Sequence, residues 1–199
     1  YLRQSYGLST DFIQPCDYNK LVLSLLSALP NEVDFAVNVC TLLSNESKHA
    51  MQLDKDPKLV TLLLAHAGVF DDYQIVEMTA ADPVGLECFC NHTANSICFL
   101  TVLERGGTGD MEAQRVLQIA VILRNLSFEE ANVKLLAANR TCLRFLLLCA
   151  HCNLISLRQL GLDTLGNVAA EVGPASDRHR CLWLEFVSTT DQSEENLSL

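Results

Sequence analysis

Three thiols and an imidazole, Cys88, Cys90, His92 and Cys98, gather in one short stretch and are the ligand types a tetrahedral zinc ion takes. Their spacing argues against a closed site, which normally draws on two separated ligand pairs with gaps of a few residues. The cluster is therefore a weak metal candidate, and no metal site is assigned. Cys149 and Cys152 flank His151 and invite a redox or metal reading, but both sit in an apolar helical run where a thiol packs as a small hydrophobe. Packing is the better reading. Gly106-Gly107-Thr108-Gly109 lacks the lysine and the preceding strand that a phosphate-cradling loop needs, which leaves a linker. Glu129-Glu130 is a solvated pair at a helix start, favoured there by the macrodipole. No nucleophile with base and orienting group, and no working pair of carboxylates, can be assembled. The expectation is a protein that is not an enzyme and takes no cofactor.

Composition agrees. The chain has 199 residues, 49% of them apolar and 19% charged, enough to bury a core. Its formal net charge of −10, with no basic run to offset it, repels a phosphate backbone and excludes direct nucleic-acid binding by this segment. The longest apolar runs, such as LRFLLLCA, are too short to span a bilayer, so no membrane partner is expected. The chain starts at Tyr1 without a leader, so it reads as a soluble fragment whose nine cysteines are free thiols in a reducing compartment.

The elements that would position these groups are helices. NKLVLSLLSA, residues 19–28, is apolar at helical spacing and stops before Pro30. EVDFAVNVCTLLS, residues 32–44, sets Val33, Ala36, Val37, Cys40 and Leu43 on one stripe. Asp56-Pro57 gives a cap and a proline at the first turn, LVTLLLAHA the body, and Gly68 a left-handed stop. Helices are also expected over 115–127, 132–138, 141–151 with Asn139 as cap, and from Ser156 through LRQLGLDTLGNVAAE. No strand-period segment competes.

Sliding the chain against itself by 83 residues aligns 43–67 with 126–150 without a gap, at seven identities in twenty-five positions, Leu43, Ser44, Glu46, Leu53, Leu63, Leu64 and Ala67. RNLS and GNVA echo one another with Asn125 and Asn167 42 residues apart, which makes 83 two periods of about 42. That period falls in the range of HEAT and armadillo arrays, so the expected fold class is all-α, an armadillo/HEAT-like helical repeat (α-solenoid) fragment.

The stretches YLRQSYGLS, DYNKLVLSLLSALPNEVDFAVNVCTLLSNESKHAMQLDKDPKLVTLLLAHAGVFDD, QRVLQIAVILRNLSFEEANVKLLAANRTCLRFLLL and SLRQLGLDTLGNVAAE closely resemble the armadillo region of the AT-rich interactive domain subunits of PBAF-type SWI/SNF chromatin remodellers. The likeness covers 1–72 and 112–171, whereas 73–111 and 172–199 depart from it. The expected organisation is a helical repeat block over 1–72, a divergent segment over 73–111, an armadillo-type repeat block over 112–172, and a divergent, disordered tail over 173–199. The resemblance implies that 32–44 is a third helix, 48–55 and 57–67 the first two helices of the next repeat, and 116–127 a third helix again.

By the same resemblance the chain is a nuclear, non-catalytic scaffold in chromatin remodelling and transcription regulation. Its partners would be the helical region of the ATPase subunit and the bromodomain and PHD-finger subunits. The family's DNA-binding module lies upstream of these residues. Asn125 and Asn167 match the asparagines that armadillo third helices turn toward a partner's backbone; packing within the scaffold is the competing role. Two other readings are a truncated product that does not assemble, and a small zinc- or thiol-dependent enzyme. An end repeat without a polar cap exposes its stacking face, so self-association is a further expectation.

Overall fold

The computed structural model describes residues 18–27, 29–45, 51–69 and 111–171. The cluster Cys88, Cys90, His92 and Cys98, the Gly-rich run and the tail lie outside the described residues, as do the expectations attached to them. All regular structure among the described residues is helical: α1 (Asn19–Leu26), α2 (Pro30–Ser44), a single 3₁₀ turn (Leu53–Lys55), α3 (Lys58–His66), α4 (Met111–Leu126), α5 (Glu130–Ala138), α6 (Arg140–His151) and α7 (Ile155–Val168). None of these helices is long and apolar enough to cross a membrane.

Local chemistry sets most boundaries. Asp56 Oδ1 accepts from the Lys58 amide at 3.2 Å at the start of α3, and Asn139 Oδ1 accepts from the Cys142 amide at 3.0 Å at the start of α6, each satisfying a first-turn N–H that has no helical partner. Gly68 ends α3 with φ of 78°, a conformation that glycine adopts without a Cβ clash. Pro30, expected as a stop, instead opens α2 at the first helical position, where its missing N–H is not needed. The helix expected over 48–55 is represented among described residues only by the 3₁₀ turn, in which Leu53 is buried, preceded by the buried Met51.

α4 is the centre of the packing. It lies against α2 on one side and α7 on the other, while α6 packs on α7, and α3 touches α1, α4 and α6. A continuous core passes through these contacts, with Leu25, Cys40, Leu63, Ile122, Phe145 and Leu157 all fully buried. Fully burying one such side chain is worth about 1.5–3 kcal/mol, so this apolar seam, and not the polar contacts on the surface, holds the layers together. His66 Nε2 adds a bond from α3 to the Leu25 carbonyl of α1 at 2.8 Å.

The packing revises the meaning of the 83-residue offset. Helices α2 and α4, which that offset superposes, are direct neighbours, so 83 measures one step through space and not two. Side-chain bonds from α4 to α2 join residues up to 81 apart in sequence, whereas the matching bond from α7 to α4 joins residues 40 apart. The excess, 81 less 40, equals the length of the stretch 70–110 between α3 and α4. That stretch is thus an insertion between two helices of a continuous packing unit.

Candidate functional site

Among the described residues, the surface that α2, α4 and α7 share carries a repeated set of hydrogen-bonded polar side chains. At the end of α2, Ser44 Oγ donates to the Thr41 carbonyl at 3.0 Å and accepts from Asn125 Nδ2 of α4 at 3.3 Å. After α4, Ser127 Oγ donates to the Arg124 carbonyl at 2.7 Å and accepts from Asn167 Nδ2 of α7 at 2.8 Å. The same asparagine–serine–carbonyl relay therefore occurs twice, once per step. A serine this close to its i−3 carbonyl has its proton committed, which leaves the oxygen lone pairs as the only acceptor for an incoming amide.

Further contacts flank the relay. Arg115 Nη2 meets Asp34 Oδ1 at 2.7 Å, and Gln118 Nε2 donates to Asn38 Oδ1 at 2.7 Å and to Thr41 Oγ1 at 3.2 Å, all between α4 and α2. Between α4 and α7, Arg124 Nε meets Asp163 Oδ2 at 3.0 Å, and the Arg124 guanidinium lies 5.1 Å from the centre of the exposed Phe128 ring. The two ion pairs are a quarter to two-fifths exposed, where such pairs contribute about 0–1 kcal/mol. Their effect is to fix the register of three helices.

Asn125 and Asn167, singled out by their echo in sequence, occupy equivalent positions one step apart, and both are half-buried. Each amide gives one N–H to the relay; its second N–H and its Oδ1 bond to no described residue. Beside them, α2 exposes Phe35, Asn38 and Leu42 at helical spacing. Leu42 is the residue that the 83-residue alignment places opposite Asn125. Sequence reasoning missed the serines as acceptors, although Ser44 and Ser127 are one of the seven identities of that alignment and were visible there. It also missed Asn132, which is 1% exposed. Asn132 Nδ2 donates to the Met51 carbonyl at 2.8 Å and its Oδ1 accepts from the Leu53 amide at 2.9 Å.

The described cysteines, Cys40, Cys142, Cys149 and Cys152, are free and buried. Burial without a cationic partner pushes the thiols of Cys40 and Cys142 from 9.0 up to about 12, and raises that of Cys149 as well, with Cys152 and Cys142 adding to the effect. The protonated thiol is a poor nucleophile and a poor metal ligand, so these residues act as core. Among the described residues no group of three or more His, Cys, Asp or Glu is placed to hold a metal. In the native protein at about pH 8 these three thiols are expected to resist alkylation until denaturant is added. A folded pKa above the unfolded one means that their contribution to stability is complete below about pH 9 and is lost as pH climbs toward 12. Rapid labelling without denaturant, or a urea midpoint flat across that alkaline range, would contradict this.

No family model matches the chain. It is 61% identical to AT-rich interactive domain-containing protein 2 of Mus musculus over 202 aligned positions, which cover 86% of this chain and 11% of that protein. It is 32% identical to the SWI/SNF chromatin remodeling complex subunit swsn-7 of Caenorhabditis elegans over 183 positions, 78% of this chain and 15% of that one. The chain thus spans about a seventh or less of the length of these relatives. Over the aligned stretch, it belongs to the AT-rich interactive domain-containing protein 2 type of SWI/SNF subunit.

Proposed function

We propose that this chain is a non-catalytic, protein-interaction scaffold segment of a PBAF-type SWI/SNF remodeller subunit, acting in the nucleus in chromatin organisation and transcription regulation. In this reading its helices are successive layers of an armadillo/HEAT-like α-solenoid, with 18–69 and 111–171 as parts of one array. The single observation that carries it is the asparagine–serine relay, repeated at one-layer steps across α2, α4 and α7. A relay of this kind holds three helices parallel in register and sets Asn125 and Asn167 in a row, each with an amide N–H and an Oδ1 left for a partner's backbone. Backbone groups of a bound segment lose water on docking and need such partners, because an unmade buried hydrogen bond costs about 1–3 kcal/mol. One relative is named as a subunit of a SWI/SNF chromatin remodeling complex, so the proposed partners are other remodeller subunits; within this proposal they are the ATPase subunit's helical region and the bromodomain and PHD-finger subunits. The net charge of −10 disfavours DNA as a direct ligand of this segment.

The test is co-purification of tagged chain with remodeller subunits from nuclear extract. The core is expected to be recovered, and Asn125→Ala with Asn167→Ala together should reduce its recovery several-fold while the helical circular dichroism signal persists. Recovery of no core subunit by the parent chain would remove the scaffold reading and favour a product that does not assemble.

A further inference from the structure

Among the described residues, both ends of the stack formed by α2, α4 and α7 are uncovered, and the two ends match. Within the stack, each helix brings polar groups to the one before it: Asn125 to Ser44, Gln118 to Thr41 and Arg115 to Asp34. Asn167 does the same to Ser127. The registers of 83 and 42 residues carry these positions to the two ends. On α2, the positions of Asn125, Gln118 and Arg115 are held by Leu42, Phe35 and Glu32. On α7, and just past its end, the positions of Ser44, Thr41 and Asp34 are held by Ala169, Gly166 and Gln159. Donor and acceptor are thus replaced together. Where an interior step sets asparagine on serine, the two ends would set Leu42 on Ala169, and where it sets glutamine on threonine they would set Phe35 on Gly166.

We infer that copies of this chain associate head to tail, with α2 of one copy stacking on α7 of the next in the register that α4 takes on α2. Continuity, size and charge favour a second copy as the occupant. The contact repeats one that the chain already makes twice, from α4 to α2 and from α7 to α4. Phe35 is 58% and Leu42 37% exposed at one end, and at the other Gly166 has nothing within 4 Å of an added Cβ, so large side chains meet open space. Leu162, on the same outer face of α7, is 54% exposed, whereas its equivalents within the stack, Val37 and Ala120, are 1% and 2% exposed. The exposed Glu32 at the α2 end is opposite in sign to the exposed Arg158, which adjoins Gln159 at the α7 end. Because the two surfaces differ, the contact is heterologous and leaves a free face at each end of any assembly. A single helical step is a small interface of the weak, transient kind, so growth depends on concentration. The inference rests on the stacking of α2, α4 and α7 and is independent of which proteins the chain binds.

Sedimentation of the full chain tests it. The weight-average mass is expected to rise with concentration and to pass that of two copies. Phe35→Glu and Gly166→Glu, each at an exposed helical position, should separately hold the protein at the mass of one copy with its helical signal intact. Mixed in equal amounts, the two variants should form a pair and stop there, since the first keeps a sound α7 face and the second a sound α2 face. A parent that stays at the mass of one copy at millimolar concentration would overturn the inference, as would association that survives both substitutions or a mixture that forms no pair. A parent whose mass stops at two copies would overturn it too, because a two-fold contact would then be the mode of association.

Discussion

Replacing Asn132 with alanine is expected to destabilise the protein by about 2–4 kcal/mol, the largest loss expected from a polar substitution among the described residues. The side chain answers two buried backbone groups at once, the Met51 carbonyl and the Leu53 amide, in residues that are each 1% exposed. Truncation leaves both unpaired, and no solvent reaches them. Each orphaned group costs about 1–3 kcal/mol, to which a small cavity adds. Asn132→Asp separates the two bonds: it keeps an acceptor for the Leu53 amide but turns an oxygen toward the Met51 carbonyl, and should be at least as harmful near neutral pH. Urea unfolding followed by circular dichroism reads the effect as a lower midpoint at unchanged slope. A loss under about 1 kcal/mol for the alanine variant would mean that the clamp is not closed in solution.

The second large effect is a pair of identical substitutions with opposite signs. A Cβ added at Gly161 would sit 2.7 Å from Cys149 Cβ, 2.9 Å from the Ala150 nitrogen and 3.0 Å from the Leu146 carbonyl oxygen. Two of these three are backbone atoms of α6, so relief requires the helices to separate. Overpacking of that kind costs about 1–3 kcal/mol or more, which outweighs the ~1 kcal/mol that alanine gains over glycine in a helix. Gly166, one and a half turns along α7, has nothing within 4 Å of an added Cβ. There the propensity term acts alone, and Gly166→Ala should stabilise by about 0.5–1 kcal/mol. Thermal melts of the two variants against the parent give the answer. Shifts of the same sign would show that α6 and α7 do not approach as closely as their glycine contact requires.

Much of the architecture was legible in the residues because it is set by local rules. Asn139 caps its helix and Gly68 ends one in the left-handed conformation, as side-chain oxygen and absent Cβ dictate. What could not be read was distance through space. An offset of 83 residues looked like two periods of about 42 because the insertion between α3 and α4 is itself about one period long, and self-comparison along a chain does not distinguish an extra layer from an excursion. Only the bonds across α2, α4 and α7 separate the two. Asn125 and Asn167 stood out as an echo, but their serine acceptors were marked only by one identity, Ser44 with Ser127, among the mostly apolar matches of the 83-residue alignment. Asn132 carried no signal at all: a polar residue in a short helix looks solvent-facing until the backbone it serves is placed beside it.

The position of α4 has one more consequence. Its flanks are covered by α2, from before the insertion, and by α7, from after it, and the Asn132 clamp ties α5 to the turn at Leu53. Scission of the peptide chain anywhere between Val69 and Met111 would therefore not divide the protein into two independent bodies. It would yield a complementation pair, two polypeptides sharing one interior, each with a raw apolar flank that only the other can cover.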